Sequence, residues 1–242
     1  MNIILVGYGR MGKLIAESIA ASDSMRLVGI VDPEHHRTFD EIDERADVVI
    51  DFSYPGNLTL TLDYVMSTHC ALVLGTTGLN EVQLDQVKEA SSACPIVFSY
   101  NFSTGIAVLK RALALVAPAL KGDFDIEIVE AHHRAKADAP SGTAKLLRQA
   151  IDPDEQLQTV DGRSGITGAR PSDQIGMHAI RGGSVAGDHS VLFLGDQEML
   201  KFEHSASSRQ IFVNGALRAV RFVHGRAPGL YGMDDILWGD QA

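Results

Sequence analysis

Apolar residues along residues 1–98 fall into short unbroken runs, separated by stretches that are amphipathic or polar. The first run, residues 2–6, ends in Gly7-Tyr8-Gly9-Arg10-Met11-Gly12, after which Leu14, Ile15 and Ile19 recur on a helical period. A second run, 27–31, is closed by Asp32-Pro33. The order is strand, glycine turn, helix, strand, acid. The same alternation predicts strands at 48–50, 71–74 and 96–98, with helices at about 56–67 and 81–91 between them. Continuous apolar strands separated by helices predict a parallel sheet covered on both faces.

Beyond Asn101-Phe102-Ser103 the texture changes. A helix is expected over about 105–120, then an extended segment over 125–132, then a helix from about 141 to 151. Residues 152–174 are polar, rich in Gly, Asp and Arg, and read as a long loop. Strand-like segments follow near 176–180, 189–194 and 199–204. Ile211, Val213, Leu217, Val220 and Val223 then mark a helix over 209–223 that returns to the first domain. The expected organisation is α/β: residues 1–103 plus 210–242 form a dinucleotide-binding domain, and 104–209 an inserted substrate-binding domain.

Composition narrows the function. A formal net charge of −10 argues against a nucleic-acid partner, whose phosphates require clustered Lys and Arg, but permits a local cationic pocket for a small anion. The apolar run around 106–120 is interrupted by Lys110 and Arg111 and is too short for a membrane span, so no membrane association is expected. The first residues lack the basic and apolar pattern of a signal peptide. The two cysteines, Cys70 and Cys94, lie near strand-like runs and read as buried thiols of a protein in the reducing cytoplasm.

The glycine turn carries the first candidate chemistry. A G-x-G-x-x-G pattern is weak alone, but here it follows a strand, opens a helix and has Asp32 twenty residues beyond Gly12. Gly7 permits the turn, Gly9 lets a pyrophosphate approach the backbone, and Gly12 lets the helix pack on the strand. The helix start supplies N–H groups and partial positive charge to the phosphates. Asp32 suits the ribose hydroxyls of NADH and slightly favours it, while His35, His36 and Arg37 lie near enough to offset repulsion of NADPH; both stay open. Gly75-Thr76-Thr77-Gly78 and Asn101-Phe102-Ser103 also end strands, where ligands of open α/β sheets bind.

The densest chemistry lies in Glu130-Ala-His132-His133-Arg-Ala-Lys136-Ala-Asp-Ala-Pro140-Ser141-Gly142-Thr143. On a strand the two histidines point to opposite faces. Ser141 reads as a helix N-cap, with the Gly142 and Thr143 N–H groups heading the helix toward a carboxylate. Lys136 adds a full positive charge. Divergent histidines without a third His or Cys at zinc spacing argue against a metal site.

These motifs resemble the 4-hydroxy-tetrahydrodipicolinate reductase (dihydrodipicolinate reductase) family. The resemblance rests on the segment from Glu130 to Ala144, Gly75-Thr-Thr-Gly78, Asn101-Phe-Ser103, Arg181-Gly-Gly-Ser-Val-Ala-Gly187-Asp-His189, His204-Ser-Ala-Ser-Ser-Arg209 and Gly229-Leu-Tyr231, and spans essentially the whole chain. It implies a Rossmann-type domain with an inserted α+β domain whose mixed sheet builds a homotetramer. It also implies reduction of a dicarboxylate, 4-hydroxy-tetrahydrodipicolinate, by NADH or NADPH with loss of water, in the diaminopimelate route to lysine. By resemblance His132 and Lys136 are catalytic, and His133, Gly142 and Thr143 bind substrate. Cofactor contacts would come from Gly7, Tyr8, Gly9, Arg10, Met11, Gly12, Asp32, Gly75, Thr76, Thr77, Ser99, Tyr100, Asn101 and Phe102. The chain departs from many members in its shorter glycine turn, its compressed 32–47 region and its Asp32-Pro33 pair, all of which bear on nucleotide preference. Domain closure implies hinges near Ser103 and Arg209.

Overall fold

The computed structural model describes residues 1–32 and 38–239, so His35, His36 and Arg37 lie outside the described residues. Two compact units divide the chain: Met1–Thr104 with Gln210–Ala242, and Gly105–Arg209.

In the first unit the apolar runs become strands β1 (Asn2–Val6), β2 (Arg26–Val31), β3 (Val48–Asp51), β4 (Ala71–Leu74) and β5 (Pro95–Phe98). Helices α1 (Arg10–Ala20), α2 (Leu58–Thr68) and α3 (Glu81–Ser91) alternate with them. Together with a further strand at Gly229–Tyr231 (β11), they form a six-stranded sheet in the order β11-β5-β4-β3-β1-β2 whose pairings are all parallel. Ile4, Val6, Val49, Leu72, Leu74 and Ile96 pack in one core with Leu58, Leu62 and Val65 of α2 and Val87 of α3. The alternate residues Ile3, Leu5, Ile50, Val73 and Val97 are fully buried too, and a helix at Gln210–Val223 (α6) packs with α1, β3 and β4. Burial on both faces is why these strands are apolar without alternation.

Two details differ from the sequence reading. A 3₁₀ turn at Pro55–Asn57 precedes α2, so the helix starts two residues later than expected. The short strand β11 and helix α7 (Met233–Trp238) were not anticipated; three strand residues carry too little periodicity to be seen without their partner β5.

The second unit contains α4 (Thr104–Leu120, of which all but the first residue belong to it), β6 (Asp125–His132), α5 (Gly142–Ile151), β7 (Gln158–Asp161), β8 (Gln174–Arg181), β9 (Asp188–Leu194) and β10 (Met199–Ser205). Its sheet runs β10-β9-β6-β8-β7, with the β6–β8 and β8–β7 pairings parallel and the β6–β9 and β9–β10 pairings antiparallel, a mixed sheet. Ile126, Ile128, Ile175, Met177, Val191 and Phe193 pack with Leu109 and Leu113 of α4 and Leu147 and Ile151 of α5. The expectation of a long loop over 152–174 is corrected: β7 lies within it. Three of its four residues are exposed, so no apolar alternation announced it. The buried carboxylate of Asp152 anchors the preceding turn, accepting from Lys121 Nζ at 2.6 Å and the Leu157 N–H at 2.8 Å.

Strand β6 has two different faces. Asp125, Glu127, Val129 and Ala131 are partly exposed, whereas Ile126, Ile128, Glu130 and His132 are buried. On the first face Glu127 binds Arg163, Arg170 and His178. Gly176 of β8 leaves room for it, since a Cβ there would sit 1.7 Å from a Glu127 oxygen. No helix of the described residues is long and apolar enough to cross a membrane.

Candidate active site

In the first unit, most of the cofactor candidates lie at the carboxyl edge of the parallel sheet. Gly7 through Gly12 follow β1, Asp32 follows β2, Gly75 through Thr77 follow β4, and Ser99 through Phe102 follow β5. Strand β1 is flanked by β2 on one side and β3 on the other, so the connections diverge there, the place where open α/β sheets bind ligands.

The glycines have separate steric reasons. Gly7 adopts φ +88°, and a Cβ there would sit 2.9 Å from the Phe52 carbonyl oxygen. At Gly12 a Cβ would lie 2.1 Å from the Gly7 carbonyl oxygen, so helix and turn touch backbone to backbone. A Cβ at Gly9 would meet nothing within 4 Å, leaving open space at the start of α1. Tyr8, Gly9 and Arg10 are exposed, Met11 is half-buried, and the first turn of α1 holds no acidic residue. An open, acid-free helix start of this kind fits a pyrophosphate.

The other loops are held by polar bonds. Asp51, fully buried at the end of β3, accepts from Ser53 Oγ at 2.6 Å and from Thr61 and Thr76 Oγ1, each at 2.7 Å. Thr76 is thus buried as a structural tie, while Thr77 is exposed. Ser99 Oγ donates to the Asn101 carbonyl at 2.8 Å, and Asn101 Oδ1 accepts from the Ser103 N–H at 2.8 Å. Tyr100 is exposed, but Phe102 is only 2% exposed, its ring packed beside Phe52 and its carbonyl against Gly215, where a Cβ would sit 1.7 Å from the oxygen. Asp51 was missed in the sequence, where it is one acid after an apolar run.

In the second unit, alternation along β6 puts Glu130 and His132 on the same buried face as Ile126 and Ile128. His132 Nδ1 lies 2.6 Å from Glu130 Oε2. Arg181, at the end of β8, grips both Glu130 oxygens at 2.7 Å and donates to the Asp138 carbonyl at 2.6 Å. The Ser141 N–H donates to Glu130 Oε1 at 3.0 Å, bonding the start of α5 to the same carboxylate. Ser141 is the N-cap: its Oγ accepts from the Ala144 N–H at 3.1 Å, with the Gly142 and Thr143 N–H groups heading the helix. The open Cβ direction at Gly142 and an acid-free first turn suit a carboxylate.

His133 follows the strand and is half-buried; its N–H donates to the Val185 carbonyl at 2.9 Å, and the Gly182 N–H donates to the His132 carbonyl at 2.9 Å. The glycine-rich segment after β8 thus braces the histidine loop through backbone bonds. Lys136 is half-buried, with Nζ 2.8 Å from Asp138 Oδ1. Burial alone would raise Asp138, but the Lys136 ammonium outweighs it and holds this carboxyl below its ordinary range.

His189 of β9 stands edge-on to His132, ring centroids 5.1 Å apart, with Nε2 3.2 Å from Ser141 Oγ. Burial, reinforced by the neighbouring His132, lowers its pKa to about 4. The unfolded chain therefore takes up a proton between pH 6.5 and about 4 that the folded chain refuses. Stability falls as pH drops through that window, by on the order of 3 kcal/mol in full. Buried carboxylates such as Glu130 and Asp152, held below their ordinary values against the effect of burial, lose their contribution only at lower pH. Urea midpoints between pH 7 and 4.5 should drop in the native protein and drop less in His189→Asn. Equal slopes would contradict a neutral buried His189.

Comparison with known proteins agrees with this architecture. The family model described as "Dihydrodipicolinate reductase, N-terminus" matches residues 1–102, and "Dihydrodipicolinate reductase, C-terminus" matches residues 105–237. A 4-hydroxy-tetrahydrodipicolinate reductase of an Exiguobacterium species is 42% identical over 98% of this chain and 95% of its own. Another, from Brachyspira hyodysenteriae, is 41% identical over 98% of this chain and all of its own (100%). Among solved structures, a dipicolinate-bound dihydrodipicolinate reductase from Paenisporosarcina sp. TG-14 shares the fold, with a TM-score of 0.76, 22% identity and coverage of 98% and 99% of the two chains. With both family models matched in chain order and relatives aligned from end to end, the chain belongs to the dihydrodipicolinate reductase family.

Proposed function

We propose that this protein reduces 4-hydroxy-tetrahydrodipicolinate to tetrahydrodipicolinate, releasing water, in the diaminopimelate route to lysine. The observation that carries the reading is the buried Glu130–His132 pair, joined through Ser141 to a helix start able to receive a carboxylate. The nicotinamide nucleotide, when bound, supplies the hydride. Loss of the substrate's 4-hydroxyl with a proton from the neighbouring ring carbon, as water, would leave a conjugated imine. Hydride added to it would place negative charge on the ring, and an acid must then deliver one proton to carbon.

His132 is assigned that proton, delivered from Nε2 because Nδ1 is engaged by Glu130. Lys136 steadies the developing charge and donates in turn. His133 and the Gly142 and Thr143 N–H groups hold the substrate carboxylates. At the other sheet, the Gly7–Gly12 turn and the start of α1 take the pyrophosphate, and Asp32 takes ribose hydroxyls. Asp32 favours NADH slightly over NADPH. The fit rests on the open direction at Gly9 and the absence of acid in the first turn of α1.

The reading carries the family's homotetramer, assembled through the mixed sheet, and a cytoplasmic setting. The buried free thiols Cys70 and Cys94 support a reducing compartment. The direct test combines the protein with pyruvate, aspartate semialdehyde and the preceding synthase, following NADH and NADPH oxidation separately. Oxidation that depends on the synthase is expected, faster with NADH. Oxidation of neither nucleotide would overturn the assignment.

A further inference from the structure

We infer that Glu130 is a positioning residue for this reaction: its carboxylate fixes His132 as an Nδ1–H donor and balances the charge of its protonated ring. The inference rests on the assignment of His132 as the acid.

Glu130 is 1% exposed, and each of its oxygens accepts two bonds. Oε2 receives His132 Nδ1 at 2.6 Å and Arg181 at 2.7 Å. Oε1 receives Arg181 at 2.7 Å and the Ser141 N–H at 3.0 Å. Three elements, β8, the loop before α5 and β6 itself, therefore hold this carboxylate in place. Burial alone would raise Glu130, but the bonds from Arg181, His132 and Ser141 outweigh it and keep it ionised.

An ionised acceptor at Nδ1 requires a proton there, so Nε2 is the nitrogen left to exchange with substrate. Gly187 lies on that side: a Cβ at this position would sit 3.0 Å from Nε2. The charges facing the ring make Glu130 necessary. Arg181, at the end of β8, places a cation on the same carboxylate. His189 approaches from β9 but is neutral near pH 7, and Asp188 and His204 influence it from beyond. On the following loop the Lys136 ammonium is paired with Asp138. Remove the Glu130 charge, and a protonated His132 would share its buried corner with a guanidinium that has lost its ion-pair partner. Substrate reduction needs that protonated form, so the loss appears in catalysis before it appears in binding.

The test compares the full-length enzyme as wild type, Glu130→Gln and Glu130→Asp, with nucleotide and substrate each varied at a saturating level of the other. Glu130→Gln should lower kcat about 10²-fold or more, with the nucleotide KM within about twofold. The alkaline limb of its kcat/KM profile should move about one pH unit lower, as expected when an ion-pair partner is lost. Glu130→Asp, which keeps the charge, should restore most of that limb. In ¹⁵N-histidine spectra, His132 of the wild type should carry its proton on Nδ1 with a strongly downfield resonance, absent in Glu130→Gln.

A loss of rate equal at every pH, with the His132 resonances unmoved, would overturn the inference and leave Glu130 a structural residue. Should Glu130→Gln fail to fold, the wild-type ¹⁵N-histidine spectrum decides alone: a neutral His132 carrying its proton on Nε2 instead of Nδ1 would overturn the inference. His132→Asn separates the two ideas. Full turnover in that variant removes His132 as the acid, while the wild-type spectrum still reports whether Glu130 holds its Nδ1 proton.

Discussion

Substituting His132 or Lys136 by alanine is expected to lower turnover by ~10²–10⁴-fold each, the usual worth of a positioned acid. The two losses should differ in kind. His132 is buried and bonded to a fixed carboxylate, so its removal should take away the proposed proton donor while leaving the Gly142–Thr143 helix start in place. Its effect falls on kcat. Lys136 sits on a loop, half-buried and paired with Asp138, and its removal also frees that carboxylate to repel an anionic substrate. Its effect falls on kcat and raises the substrate KM as well. Steady-state kinetics with both nucleotides, supported by unchanged unfolding curves, makes the comparison. Near-normal turnover in both variants would sink the assignment of this site.

The second large effect is expected in the glycine turn, where two alanine substitutions should separate packing from binding. Gly12→Ala drives a methyl group to 2.1 Å from a backbone oxygen that has no rotamer to escape into. The turn and α1 must part, costing about 1–3 kcal/mol of stability as other overpacked sites do, and nucleotide affinity should fall more than tenfold as the helix start shifts. Gly9→Ala meets nothing within 4 Å and should leave stability within about 0.5 kcal/mol of the parent. Its methyl group fills the space assigned to the pyrophosphate, so affinity should still drop about tenfold. Calorimetric titration with NADH and urea unfolding give the two readouts. A Gly9→Ala protein that binds nucleotide like wild type would place the phosphates elsewhere.

The parts of this fold that were legible in the sequence are those where burial imposes a pattern. Strands β1, β3 and β4 are sealed on both faces, so their apolar runs stand out without any knowledge of neighbours. Strand β7 is mostly exposed, and β11 has three residues that depend on pairing with β5, so neither had a local signal. The site shows the same division. His132, His133 and Lys136 are conspicuous by residue type, but the partners that fix them are distant: Arg181 lies 51 positions from Glu130, and His189 48 positions from Ser141. One signal for Glu130 was present. Ile126 and Ile128 define the inward face of β6, and continuing the alternation puts an acid and a histidine on that face, where buried polar groups need partners. Asp51 had no such cue, because its partners Thr61 and Thr76 come from a helix and a loop.

The alternation on β6 also makes strand register a condition for chemistry. Slipping β6 by one residue against β8 and β9 would turn Glu127, Val129 and Ala131 inward and carry Glu130 and His132 to the opposite face. The same slip would expel Ile126 and Ile128 from beneath α4 and α5. Two buried isoleucines thus penalise every misaligned version of the sheet, and the Glu130–His132 pair inherits its placement from them.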